Sequence, residues 1–237
     1  MRPIKLFVLL TCIITNIAFL HFEWEISFLT VLLSVFIAIF AWPMQSAMHE
    51  IGHLIGGKIS GHKLVVLQIG QGNIISSSDG RISFEARRTR GAQCVMLPKE
   101  ETPLRYRAYN AGGYVANAVV LILSSALLLF RSNIATLVFI EIFFAGCFGV
   151  LSNALPRLYG GVPNDGYVLK MLKNNPAVQN DYVKYLQLYS AMFLGEEIDT
   201  ASFEYEREAV ADETELIYYH GIHDLLNDLR SEHKSGN

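Results

Sequence analysis

Met48-His49-Glu50-Ile51-Gly52-His53 closes an apolar run that opens at Ile26, and the reading of these six residues decides the rest of the chain. Positions four apart share one face of an α-helix. His49 and His53 can therefore present imidazole nitrogens to one metal ion while Glu50 turns to an adjacent side. This donor set suits zinc with a water, whose pKa zinc lowers toward neutrality; a carboxylate beside it can take the proton and pass it to a leaving amine. The competing reading is an accidental pair of histidines at a membrane interface. The setting weighs against accident: Ile26 to Trp42 carries no charge, and ionisable groups at the end of a membrane-length apolar run are expensive and usually functional.

The composition agrees with that setting. Hydrophobic residues make up 51% of the chain, charged residues 17%, and the mean hydropathy is +0.30, too apolar for an ordinary soluble domain. Acids outnumber bases from Pro176 onward, and the balance is reversed before it. Cys12, Cys94 and Cys147 have neither metal-ligand spacing nor the pattern of a disulfide framework, so they read as small packing residues.

Working outward from the motif, the expected fold is mainly α: a polytopic membrane helix bundle of about four spans, with a small membrane-associated β-hairpin and a cytoplasmic helical tail. The spans are expected at about 4–20, 26–53, 109–130 and 134–155. Residues 1–20 read as a retained helix or a signal peptide; no clear small-x-small pair precedes the polar His21–Glu25 stretch, which favours retention. Pro43 either kinks the second span or stops it. Residues 62–98 form the β-rich insertion, with Leu64–Ile69 β-prone, Ile82, Phe84 and Ala86 alternating with polar residues, and Asp79-Gly80 as a hairpin turn. It caps the membrane face or offers an edge strand to an extended chain. Arg87, Arg88 and Arg90 suit anionic headgroups, and no aromatic or base-reading pattern supports nucleic-acid binding.

Lysine and arginine are densest between Gly56 and Arg107, which places that loop and both termini in the cytoplasm of a multi-pass protein of the cell membrane. The end of the second span, the start of the third and the end of the fourth then share the cytoplasmic face. Glu141, the one other charged group inside a span, reads as structural. Residues 1–175 make the membrane-embedded core, and 176–237 an acidic helical appendage open to a cytoplasmic partner. His220 and His223, three apart, lack further patterned ligands and read as surface or packing residues.

Beyond the fourth span, Asn153-Ala154-Leu155-Pro156 leads through a proline- and glycine-rich turn to Asp165-Gly166. Asp-Gly alone is a common turn. At the same membrane face as the histidines, however, Asp165 is the carboxylate available as a third ligand, leaving a fourth position for water.

At this point the chain resembles the site-2 protease family of intramembrane zinc metalloproteases. Three elements carry the resemblance: His49-Glu50-Ile51-Gly52-His53; Asn153-x-x-Pro156 followed by Asp165-Gly166; and Ala111-Gly112-Gly113-Tyr114-Val115-Ala116-Asn117, similar to a Gly-Pro-x-x-Asn element with Tyr114 at the proline position. The resemblance covers residues from about 44 to 167. It implies zinc held by His49, His53 and Asp165, Glu50 as catalytic base, and Asn117 near the active site. Beside that resemblance, Asn117 and Asn153 are the candidates for oxyanion or substrate contact. It also implies a membrane-associated strand that pairs with unwound substrate. Gly112, Gly113 and Ala116 equally suit close helix packing. The spacer from Pro156 to Asp165 is longer than in many members, and there is no room for an inserted PDZ domain. The implied activity is hydrolysis of a peptide bond in or near a transmembrane segment of a membrane protein or peptide precursor. The alternative is a catalytically inactive adaptor of the same fold that binds a partner through its acidic tail.

Overall fold

A computed structural model describes residues 28–76, 82–99, 104–130, 133–194 and 212–235, with 196 and 203. The expected first span at 4–20, Cys12 and the Asp79-Gly80 turn lie outside the described residues. Among the described residues three helices are long and apolar enough to cross a membrane: Leu32–Ile59, Arg107–Phe130 and Ile134–Ala154. They match the second, third and fourth expected spans.

Helix α1 runs Phe28–Ile59 and passes through Pro43 without ending. The expected end at 53 is exceeded by more than a turn. The helix stops where Gly61 takes φ +82°, a left-handed conformation that glycine adopts without a β-carbon penalty. Ser60 and Gly61 amides donate back to the Gly56 and Lys58 carbonyls. Next come β1 (His62–Ser76) and β2 (Ile82–Pro98), paired antiparallel from His62 with Pro98 to Ser76 with Ile82. The hairpin fills the 62–98 window anticipated from sequence.

Two irregularities shape this hairpin. A shift between Leu64 and Val66 accompanies four consecutive buried residues, Val65 to Gln68, as expected where a bulge turns neighbouring side chains to one side. Farther out, Gly70 pairs with Gly91 and Gly72 with Ala86, so the register shifts and β2 carries extra residues at 87–90. Helix α2 (Arg107–Ser124) continues as a 3₁₀ turn to Phe130, and α3 spans Asn133–Ala154. Two short strands, β3 (Leu158–Tyr159) and β4 (Val162–Pro163), then precede α4 (Asp165–Leu172), α5 (Pro176–Leu194) and α6 (Ile217–Ser235).

The chain divides into two compact units, with boundaries inside α1, α2 and α3. The first holds residues up to His49 and Tyr114–Ser152. Its outward side chains are large and apolar: Phe36, Ile39, Phe40, Ile122 and Leu123 are all more than half exposed, a surface suited to lipid rather than water. Inside it, the Ser34 hydroxyl donates to the Glu141 carboxylate, so the acid expected within a span is paired between α1 and α3. Trp42 packs on Phe148 with ring centroids 5.1 Å apart.

The second unit holds Glu50–Gly113 and everything from Asn153. Its core joins the hairpin (Val66, Met96), Tyr106 just before α2 and Tyr109 within it, α4 (Leu172), α5 (Val178, Tyr182) and α6 (Tyr218). The tail helices and the hairpin thus bury their apolar faces in one another. Tyr182 Oη donates to Asn110 Oδ1 at 3.3 Å, and Tyr189 Oη to Gln93 Oε1 at 3.2 Å. Helix α6 begins at Ile217, directly after a 3₁₀ turn at Glu213–Leu216.

Candidate metal centre

The last turns of α1 set the first half of the site. The helix is unbroken between His49 and His53, so one turn of hydrogen-bonded backbone places both rings on one face. His53 is buried and His49 half-buried; Glu50, between them, is buried at 8% exposure. His53 Nδ1 lies 2.7 Å from the Tyr109 carbonyl oxygen. A carbonyl only accepts, so Nδ1 carries the proton and Nε2 keeps its lone pair for a metal. Such an outer partner orients a ligand histidine.

That contact depends on close approach of α1 and α2. A β-carbon on Gly112 would overlap the Gly52 carbonyl oxygen, and one on Gly56 would overlap that of Ala108. The packing reading of Gly112 therefore has a direct counterpart here. Tyr109 is also held from the hairpin side: its hydroxyl donates to the Cys94 carbonyl at 2.7 Å, and its ring lies 5.2 Å from that of His62.

The second half comes from the turn after α3. Gly160 and Gly161 both have positive φ, the requirement of a two-residue type I′ connection, and they join β3 to β4. The longer spacer between Pro156 and Asp165 is thus a miniature hairpin. Asn164 closes it. Its Oδ1 accepts from the Arg157 and Tyr167 amides at 3.0 and 2.9 Å, and its Nδ2 donates to the Leu155 carbonyl at 2.6 Å. Asn164 is the N-cap of α4, which makes Asp165 the first helical residue. Gly166 follows because a β-carbon there would overlap the Ala154 carbonyl.

Asp165 is brought to the histidines. Its Oδ2 lies 3.4 Å from His53 Nε2, and one ligand atom from each of His49, His53 and Asp165 falls within 4.8 Å of the others. Two donors each about 2.0–2.1 Å from a tetrahedral ion stand roughly 3.4 Å apart, so the spacing and the donor chemistry both fit a divalent ion such as zinc. It is the one such group among the described residues. His220 and His223 join no such cluster; the Tyr219 ring lies edge-on to His223 at 4.6 Å.

Asn117 is 2% exposed, with its Nδ2 3.5 Å from His49 Nδ1. Asn153 is half-buried at the end of α3. Cys94 is buried on β2 and unbonded; burial first, and then the Glu50 carboxylate, push its thiol up to about 12, so it stays a neutral packing group. The residues that sequence reading passed over are Asn164 and Tyr109. An Asn immediately before an Asp-Gly helix start is a recognisable N-cap signal, whereas nothing local marks Tyr109, whose relevant group is a backbone carbonyl. Comparison with protein-family models, curated proteins and solved structures finds no match for this chain.

Proposed function

We propose that this chain is an intramembrane zinc endopeptidase, similar to the site-2 proteases, that hydrolyses a peptide bond in or near a transmembrane segment of a membrane protein or peptide precursor. The observation that carries this reading is the convergence of His49, His53 and Asp165, from opposite ends of two further spans, with the buried Glu50 beside them. A zinc ion held by those three side chains would supply Lewis acidity and bring water within reach of deprotonation near neutral pH.

The chain's own groups do the rest. Glu50, buried and next to His49 in sequence, takes the proton from the attacking water and returns it to the leaving amine. Tyr109, through its carbonyl, keeps His53 in the tautomer that leaves Nε2 free. Asn117 is placed to hydrogen-bond His49 or the developing oxyanion. Among the described residues strand β1 pairs with β2 alone, so its outer edge can receive an extended segment of substrate through backbone hydrogen bonds. The positive-inside pattern puts this face and both termini in the cytoplasm of a multi-pass cell-membrane protein.

The test is Glu50→Gln. The variant should retain zinc at the wild-type ratio by elemental analysis while cleavage of a membrane substrate falls by about 10²–10⁴. Undiminished cleavage would overturn the mechanism. Purified wild-type protein without stoichiometric zinc would instead favour a partner-binding adaptor of the same fold.

A further inference from the structure

The membrane unit contains buried polar groups that the proton transfer by Glu50 does not use. Ser34, Ala41, Gln45 and His49 recur on α1 at steps of seven, four and four residues, and so line one stripe of the helix. Gln45 is 3% exposed and Asn117 2% exposed. Gln45 Nε2 donates weakly to the Ile142 carbonyl at 3.5 Å, but Gln45 Oε1 and Asn117 Oδ1 have no hydrogen-bond partner among the described residues.

Glycines on α3 make the room. A β-carbon on Gly149 would overlap Asn117 Nδ2, and one on Gly146 would lie 3.0 Å from Gln45 Nε2 and 3.3 Å from Leu121 Cβ. Two layers follow, each a turn from the other: His49 with Asn117 and Gly149, and Gln45 with Leu121 and Gly146. Each layer holds one orphaned amide oxygen. A buried acceptor without a donor costs about 1–3 kcal/mol in an ordinary protein interior, and more in hydrocarbon.

We infer that Gln45 and Asn117 hold buried water beside His49, and that this water supplies the hydrolytic reaction. The chemistry of the orphaned atoms selects the ligand. Two neutral carbonyl oxygens are far short of the six or so that a hard cation takes up. Water donates to both, and bridging otherwise unsatisfied buried groups is its ordinary role. The amide orientation of Asn117 does not alter the outcome. If His49 binds metal through Nε2, its Nδ1–H needs an acceptor, and Asn117 turned by half a revolution presents Oδ1 to it. The orphan is then Nδ2, for which water is the acceptor.

The consequence for hydrolysis is one of supply. Each turnover consumes one water: its oxygen bonds to the acyl carbon as the C–N bond breaks, one hydrogen goes to the amine, and the other stays on the new carboxyl group. The outward faces of these spans are apolar, so water has to be kept among the few polar groups inside. The supply role rests on the endopeptidase reading above; the hydration site does not.

The experiment is hydroxyl-radical footprinting by X-ray radiolysis of the zinc-loaded full-length protein in liposomes. A water held at this position generates radical in place and oxidises Leu121, the side chain that with Gln45 Nε2 surrounds Gly146. Labelling of Leu121 in the wild type, lost in Gln45→Leu and in Gln45→Met with zinc content unchanged, is the expected result. No labelling in the wild type overturns the site, and labelling that survives both substitutions overturns Gln45 as its holder. For the supply role, the two variants should lower kcat with KM unchanged; an unchanged kcat after the label is lost overturns that role alone.

Discussion

At the scale of single residues, the site depends on which atom of each side chain is already committed. His53 gives Nδ1 to the Tyr109 carbonyl and so has only Nε2 left to ligate. Asn164 gives both ends of its amide to the turn that carries Asp165. Asn164→Ala should therefore cost about 1 kcal/mol of stability as a lost cap. It should also weaken zinc retention in a chelator competition by roughly tenfold or more, the usual effect of removing a ligand's outer partner. Wild-type zinc affinity in a folded Asn164→Ala protein would show that Asp165 needs no such clamp. His62 offers a pH test. It is 3% exposed with neither ring nitrogen bonded, and burial holds its imidazole below the usual histidine range. Below about pH 6.5 the unfolded chain takes up the proton first, so stability is full above that value and is lost as pH falls through the folded-state value. Thermal unfolding of the metal-free protein in detergent should show a midpoint that falls as the pH drops below about 6.5, and His62→Phe should flatten the drop.

At the scale of elements, glycine decides how closely backbones meet. Gly112 lets α2 lie against the Gly52 turn of α1, and Gly166 lets the start of α4 lie against the end of α3. Gly166→Ala should destabilise the protein by about 1–3 kcal/mol, the cost typical of overpacking, and should displace Asp165. Zinc content by elemental analysis checks the second effect; full occupancy at wild-type affinity would contradict it. Much at this scale is legible in the chain. The 62–98 window and the three described spans follow from hydropathy, alternation and turn residues. The end of α1 at Ile59 rather than 53 is not legible, because Gly56 and Gly57 look like breakers. They are glycine for packing and not to end the helix: the Ala108 carbonyl and the Met96 side chain occupy the space a β-carbon would need. Nor is the β3–β4 hairpin, since its strands are only two residues long and are stabilised by Asn164 rather than by their own propensity.

At the scale of the whole molecule, the acidic tail is part of a core. Val178, Tyr182 and Tyr218 are buried in the same cluster as Val66 and Met96 of the hairpin. Truncation before Pro176 should expose that apolar surface, so the shortened protein should accumulate poorly and be cleaved by added protease within the hairpin. A truncated chain as protease-resistant as the full one would show that residues 1–175 fold without it.

The sequence by itself determined the apolar spans, the hairpin window and the three side chains that could hold a metal ion, because hydrophobic length, strand alternation, a two-histidine helical turn and a carboxylate-bearing turn are local patterns. Only the tertiary structure decided that Asp165 stands 3.4 Å from His53 Nε2, that Tyr109 orients that ring, and that Gln45 and Asn117 are left with orphaned oxygens. Those relations join residues many tens of positions apart. They are set by how closely glycine-bearing helices pack, and no periodicity in the chain encodes that distance.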